Sequence, residues 1–129
     1  MYSTKYVKPN STTEALEAIK SLGEGKFLAG GMTLIPTLKQ RLASPDGLVD
    51  ISGCDLDSIS DEGDAIKIGA MTKHASVAES DLVNKAIHAL AKLADGIGDR
   101  QVRNRGTLGG SVANNDPSAC YPSAVLALK

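Results

Sequence analysis

Residues 1–55 alternate between two kinds of apolar pattern, and this alternation restricts the fold more than any other feature of the chain. Short apolar runs at Tyr6-Val7, Lys26–Ala29 and Leu48–Ile51 have the length and residue types of strands. The two segments between them repeat apolar residues at helical spacing. The order strand, helix, strand, helix, strand predicts an α/β unit.

The boundaries of the two helices are marked by residues that favour helix ends. Ser11 and Glu14 form a capping box ahead of the first helix, and Gly23 is expected to end it. Thr33 is the expected cap of the second helix, with Pro36 in its first turn. The apolar face predicted for the second helix consists of Leu34, Ile35, Leu38 and Leu42.

The middle of the chain begins with a polar stretch. Ser52–Asp64 is predicted to be a connector with one turn, and Ala65–Ala70 alternates like a strand. A short helix is expected within Thr72–Glu79. A longer helix, capped by Asp81 and ended by Gly96, should follow.

The last part of the chain carries three arginines in a predicted loop, Ile97–Gly110. The final helix should begin near Asp116-Pro117, with Asp as its cap and Pro at its first position. This helix reaches Leu128 without a C-terminal cap. We therefore expect a truncated chain rather than a natural end.

Composition excludes several classes of protein. Lys and Arg number 14 and Asp and Glu 15, a net charge of −1, so charge gives no reason to expect nucleic acid or an anionic membrane as partner. No apolar run reaches the ~18 residues of an integral membrane segment, and the N-terminus lacks the apolar stretch of a secretion signal.

The core must be built from aliphatic and small residues, because aromatic residues make up only 3% of the chain. Cys54 and Cys120, the two cysteines, are too few for an Fe–S cluster or a structural zinc site. We expect both to be buried or semi-buried, in a reduced, cytoplasmic protein.

Two glycine pairs are the candidate phosphate sites. Phe27–Thr33 reads as strand, glycine turn and helix start, an arrangement that presents free N–H groups. Thr107–Ser111 is a second glycine turn with flanking hydroxyls. Neither has the spacing of a Rossmann or P-loop motif. The two turns could hold the two phosphates of one diphosphate, or they could be independent tight turns beside a solvated basic loop.

No residue pattern indicates acid–base, nucleophilic or metal chemistry. His74 has no nucleophile elbow nearby, and His88 lies on an amphipathic helix. The acidic residues between Asp55 and Asp64 lack the spacing of a calcium loop, so a solvated linker is the simpler interpretation. We predict no catalytic residue and no metal ligand in this chain.

Two motifs together resemble the FAD-binding medium subunit of the molybdenum hydroxylases, a family that includes aerobic carbon monoxide dehydrogenase and xanthine dehydrogenase. The first motif, Ala29–Leu34, reads AGGMTL, and the second, Gly98–Pro117, reads GDRQVRNRGTLGGSVANNDP. The resemblance covers the chain from Met1 to Lys129. Members of the family are longer, in line with a truncated chain.

The resemblance implies an α+β (α/β) fold of the vanillyl-alcohol-oxidase or PCMH type, with FAD between two small α/β subdomains. These would span residues 1–55 and 56–129, the second being incomplete because the C-terminal part is missing. In the family, both glycine segments hold the FAD pyrophosphate. Positions that match the family's FAD contacts are Lys26, Ala29, Gly30, Gly31, Met32, Thr33, Leu34, Ile97, Thr107, Leu108, Gly109, Gly110, Ser111, Asn114, Asp116 and Cys120.

Two of these positions carry further expectations. Ile97 matches a position near the flavin ring. Cys120 stands where the family commonly has an acidic residue that contacts FAD, and a thiol is a much weaker hydrogen-bond partner. The resemblance therefore puts one FAD contact in doubt.

The resemblance also implies partners. In the family, an Fe–S small subunit and a molybdenum large subunit join the medium subunit, in a dimer of heterotrimers. Electrons pass from molybdopterin through [2Fe–2S] clusters to FAD and then to an external acceptor. Arg100, Arg103 and Arg105 are candidates for subunit docking or for the cofactor's charge, or form a solvated basic loop. The alternatives are an assembly module that does not hold FAD and a standalone flavoprotein oxidase, the least favoured.

Overall fold

A parallel sheet forms the centre of the first unit of the chain, Met1–Leu56. The structure is a computed structural model and describes residues 1–128. The strands lie in the order β1-β3-β2, and both pairs are parallel. The elements of this unit are β1 (Lys5–Val7), α1 (Thr12–Lys20), β2 (Gly25–Leu28), α2 (Leu34–Lys39), β3 (Gly47–Asp50) and a 3₁₀ turn (Ile51–Gly53). The predicted order of strands and helices is confirmed.

The capping box of α1 is confirmed in atomic detail. The Ser11 hydroxyl accepts a hydrogen bond from the Glu14 N–H at 3.2 Å. The Glu14 carboxylate in turn accepts from the N–H of Asn10 at 2.9 Å. On the inner face of the unit, Ala15 packs with the fully buried Val49.

The second helix is shorter than predicted. Thr33 stands at its cap position, but the Thr33 hydroxyl makes no capping hydrogen bond. The helix ends at Lys39 because the chain enters a left-handed conformation at Arg41, where φ is 60°. The placement of Leu42 on the apolar face is therefore wrong, and its side chain is 73% exposed.

The second unit begins at Asp57 and is described to residue 128. Lys129, the last residue of the predicted range 56–129, lies outside the described residues. A two-stranded antiparallel sheet and six helices make up this unit. They are β4 (Ile59–Asp61), β5 (Ile66–Ile68), α3 (His74–Glu79), α4 (Asp81–Ala86), α5 (His88–Asp95), α6 (Arg100–Arg103), α7 (Leu108–Asn114) and α8 (Cys120–Ala127).

Two of these elements fall in segments that were predicted to be irregular. Strand β4 lies within the predicted connector and pairs with β5 through a turn at Gly63, where φ is 91°. Helix α6 lies within the predicted arginine loop and is capped by the Asp99 side chain. Each of these two elements contains a single apolar residue, Ile59 in β4 and Val102 in α6, so neither shows an apolar repeat in the sequence.

The long helix predicted after Asp81 is two helices. The chain breaks at Ile87, where φ is −140° and ψ is 65°. The cap of α4 is Ser80 rather than Asp81, and its hydroxyl accepts from the Val83 N–H at 3.3 Å. Apolar residues keep helical spacing on both sides of Ile87, so the pattern contained no sign of the break.

The final helix starts later than predicted. Helix α8 begins at Cys120, and Asp116 instead closes a turn by accepting from the Ser118 N–H at 2.8 Å. None of the helices formed by residues 1–128 has the length and apolar character needed to cross a membrane.

A histidine and a tyrosine lie together in the core of the second unit. Tyr121 is fully buried and His74 is 4% exposed, with ring centroids 5.3 Å apart. Neither His74 Nδ1 nor the Tyr121 hydroxyl has a hydrogen-bond partner among residues 1–128. The expectation that both cysteines are buried holds for Cys54 only, since Cys120 is exposed.

Burial lowers the pKa of His74 below its ordinary value of 6.5. The unfolded chain then binds the proton more tightly than the folded chain. The contribution of His74 to the free energy of unfolding is therefore fully present above pH 6.5 and is lost as the pH falls through the lower pKa of the folded state. We expect His74→Phe, which keeps a ring against Tyr121, to weaken this loss of stability. Urea unfolding of both proteins at several pH values between neutral and mildly acidic measures the difference.

A His88→Gln variant, which replaces the other histidine of the chain at an exposed position, is the matched control. Equal pH dependence in the parent and in His74→Phe would show that His74 does not contribute to the acid sensitivity.

Candidate functional site

The first glycine segment, Ala29–Thr33, connects the carboxyl end of β2 to α2. Gly31 has a φ of 74°, a conformation that other residues rarely adopt. A Cβ at Gly31 would also lie 2.9 Å from Cγ1 of Ile35 and 3.2 Å from Cδ1 of Leu28. The turn therefore requires glycine at this position, for both backbone and packing reasons.

The first glycine segment leaves a run of backbone donors free. No hydrogen bond within residues 1–128 uses the N–H groups of Gly30, Gly31, Met32, Thr33 or Leu34. Unpaired N–H groups at the start of a helix attract anions, since they carry the positive end of the peptide dipoles. This segment has the donor arrangement of a phosphate site.

The second glycine segment, Thr107–Ser111, is not a free turn. Thr107 caps α7 with its hydroxyl, which accepts from the Gly110 N–H at 3.1 Å. Leu108, Gly109 and Gly110 lie within the helix. The prediction of a glycine turn here is therefore wrong, because a Thr cap places both glycines inside the first helical turn.

The backbone donors from Leu108 to Ser111 are already occupied. The Leu108 N–H donates to the Thr72 carbonyl, and the Gly109 N–H to the Ala70 carbonyl, both at 2.9 Å. The Ser111 N–H donates to the Thr107 carbonyl at 3.0 Å. What this segment still offers is side-chain chemistry, since the Ser111 hydroxyl makes no hydrogen bond within residues 1–128.

The segment from Ala70 to His74 positions the second glycine segment, and sequence reasoning did not identify this role. Besides the two bonds above, the His74 N–H donates to the Gly106 carbonyl at 3.0 Å. Lys73 and Thr107 form a bridge between these two stretches. Two sequence features could have indicated this role. One is the strand pattern at Ala65–Ala70, and the other is Thr107, three residues before Gly110, as a helix cap.

The remaining candidates fall into both units. Lys26 is exposed on β2, and Leu34 is half-buried at the start of α2. In the second unit, Ile97 is half-buried and packs against the core. The exposed candidates there are Asn114, at the end of α7, Asp116 in the following turn and Cys120 at the start of α8. Residues 1–128 contain no group of three or more His, Cys, Asp or Glu that could hold a metal ion.

The close approach of Gly109 to Ala70 generates a stability prediction. A Cβ at Gly109 would lie 2.5 Å from the Cβ and 2.7 Å from the carbonyl oxygen of Ala70. We expect Gly109→Ala to reduce the free energy of unfolding by about 1–3 kcal/mol, the usual cost of overpacking. Chemical unfolding followed by circular dichroism measures this.

Gly96→Ala is the matched control, because a Cβ there meets nothing closer than 3.6 Å. Its effect should stay within about 0.5 kcal/mol. Alanine normally stabilises a helix relative to glycine, so a stabilising Gly109→Ala would contradict the contact with Ala70.

Comparison with known families identifies the class of protein to which the chain belongs. The family described as the FAD binding domain in molybdopterin dehydrogenase matches residues 2–129. The chain belongs to this family, and the family resemblance predicted from the two motifs is confirmed.

Particular relatives include subunits of several oxidising enzymes. The chain is 39% identical over 127 residues to the carbon monoxide dehydrogenase medium chain of Hydrogenophaga pseudoflava, covering 97% of this chain and 44% of that one. It is 34% identical over 125 residues to the nicotine 6-hydroxylase medium subunit of Paenarthrobacter nicotinovorans, covering 96% and 44%. The chain thus spans less than half the length of the relatives it matches.

Solved structures confirm the predicted fold type. The structure of carbon monoxide dehydrogenase from Hydrogenophaga pseudoflava that lacks the Mo-pyranopterin moiety matches with a TM-score of 0.93 and 40% identity, over 95% of this chain and 44% of that one. Quinoline 2-oxidoreductase from Pseudomonas putida 86 matches with a TM-score of 0.91 and 34% identity, over 94% and 43%.

Proposed function

We propose that this chain binds FAD, with the first glycine segment as the principal holder of the pyrophosphate. The observation that carries the proposal is the run of five unused N–H groups from Gly30 to Leu34. Such donors suit the concentrated negative charge of a diphosphate. The membership of the chain in an FAD-binding family makes FAD the ligand of choice.

The second unit, taken by itself, offers a ligand side chains rather than backbone donors. The Ser111 hydroxyl and the exposed side chains of Asn114, Asp116 and Cys120 are the groups that remain available there. The second glycine segment itself would act indirectly, because its N–H groups and the close contact of Gly109 with Ala70 serve the fold. Bound FAD would supply the redox chemistry, and the chain would bind and orient it.

The whole protein would be an oxidoreductase subunit in a molybdenum hydroxylase. In this proposal, electrons from a molybdenum subunit pass through [2Fe–2S] clusters of a small subunit to FAD, and then to an external acceptor. Relatives named medium chain or medium subunit, such as those of carbon monoxide dehydrogenase and nicotine 6-hydroxylase, support such an assembly.

A titration with FAD tests the cofactor proposal. The chain lacks Trp, so flavin fluorescence and calorimetry are the suitable signals. We expect saturable binding of FAD and competition by ADP, with FMN binding more weakly because it lacks a diphosphate. Gly31→Val should weaken FAD binding by about tenfold or more, equivalent to roughly 1.4 kcal/mol, since it distorts the donor segment.

Leu16→Ala, at an exposed position on α1 that is not among the proposed contacts, should bind FAD like the parent chain. Thermal unfolding of each variant separates a lost site from a lost fold. A folded parent chain that does not bind FAD would contradict the proposal and favour a module that assembles with partners without holding the cofactor.

A second measurement addresses the proposed assembly. An affinity-tagged chain expressed in its source cells should co-purify with an Fe–S protein and a molybdenum protein, identified by mass spectrometry and metal analysis. Recovery of a flavin-loaded chain without either partner would favour a standalone flavoprotein instead.

A further inference from the structure

The guanidinium of Arg103 is used inside the second unit. Its Nη1 donates to the carbonyl oxygen of Ile97 at 3.3 Å and to that of Gly98 at 3.0 Å. The side chain is half-buried. Both carbonyls belong to the turn between α5 and α6, so Arg103 reaches back from the end of α6 to the residues that precede it.

This turn is also restrained from within. Gly98 has a φ of 53°, and a Cβ there would lie 3.0 Å from Cγ1 of Val102. The Asp99 carboxylate accepts from the Val102 N–H at 2.8 Å, and the Asp99 carbonyl accepts from the Arg103 N–H at 3.0 Å. Three consecutive residues, 97–99, are therefore tied to α6.

The two neighbouring arginines do not share this role. Arg100 and Arg105 are exposed, and their guanidinium groups make no hydrogen bond within residues 1–128. Hydrogen bonds from a charged donor are stronger than those between neutral groups, and one guanidinium can serve two acceptors at once. The three arginines look equivalent in the sequence, but the structure separates Arg103 from the other two.

We propose that Arg103 is a positioning residue for Ile97, and that it acts by fixing the carbonyls of the Ile97-Gly98 turn. Ile97 packs against the core of the second unit, and the family resemblance matches it to a position near the flavin ring. The expected effect on the flavin rests on the proposed function. The contact between Arg103 and the two carbonyls does not depend on it. The guanidinium of Arg103 would then not contact a partner subunit, whereas those of Arg100 and Arg105 remain available for such a contact.

The positioning role can be measured without any ligand. Arg103→Met keeps an unbranched, flexible side chain but removes the charged donor. We expect the methyl resonances of Ile97 to shift in the full chain carrying Arg103→Met, and amide exchange of residues 98–103 to accelerate. Arg100→Met and Arg105→Met should leave both signals unchanged, and Arg103→Lys should restore part of the parent signal.

The flavin consequence is measured separately with FAD and ADP. In Arg103→Met we expect the visible absorbance or circular dichroism of the bound flavin to change. We also expect FAD affinity to fall about threefold or more, on the scale where a tenfold change in Kd is roughly 1.4 kcal/mol. ADP affinity should stay at the parent value, because ADP has no flavin ring. A purely structural loss would weaken ADP and FAD alike.

The two measurements distinguish the failures. Unchanged Ile97 resonances in Arg103→Met would overturn the positioning role whether or not FAD binds. Shifted Ile97 resonances in a parent chain that binds no FAD would sustain the positioning role and overturn the proposed cofactor function. Equal effects of all three arginine variants would show that net charge, not the contact with the turn, is responsible.

Discussion

Backbone N–H groups that lose water must find another partner. The two glycine segments differ in whether the described chain itself supplies that partner. In the second unit, the donors of Leu108 and Gly109 bond to the carbonyls of Thr72 and Ala70, and this fixes α7 to the segment before α3. In the first unit, the donors from Gly30 to Leu34 have no partner within residues 1–128. One segment thus completes the fold, while the other leaves its donors available to a ligand.

The close contact between Gly109 and Ala70 explains why small residues are essential in the second unit. The space between them has no room for a Cβ on Gly109, which would lie 2.5 Å from the Cβ of Ala70. This close approach lets the two backbone stretches form hydrogen bonds outside a regular sheet. The same need for close approach applies to Gly106, whose missing side chain leaves room for the ring of His74. A chain with few aromatic residues can pack in this way because alanine and glycine allow its segments to lie close together.

The sequence predicted the elements whose signals are local and missed those decided by tertiary contacts. The capping box at Ser11 and the strands of the parallel sheet depend on residues within a few positions of each other, and these predictions are confirmed. The break at Ile87 has no local sign. Asp116 could locally serve either as a helix cap or in a turn, and it serves in a turn. The second glycine segment was predicted to be a turn, and the acceptors that hold its donors, at Ala70 and Thr72, lie more than thirty positions away in the sequence.

The unequal use of backbone donors has a consequence for ligand selectivity under the proposed function. Backbone N–H groups recognise the charge and shape of a diphosphate, which many nucleotide cofactors share. The first glycine segment alone therefore cannot distinguish FAD from another dinucleotide. Selectivity for FAD over other dinucleotides must come from side chains. Among the candidates in the second unit, Ile97 is apolar and Cys120 is weakly polar. The dimethylbenzene part of a flavin ring is apolar, so under the proposed function an ordered Ile97 would favour a ligand that carries this ring. This is the physical reason to expect the Ile97-Gly98 turn, held by Arg103, to matter more for the choice of cofactor than the glycine pairs that first identify the site.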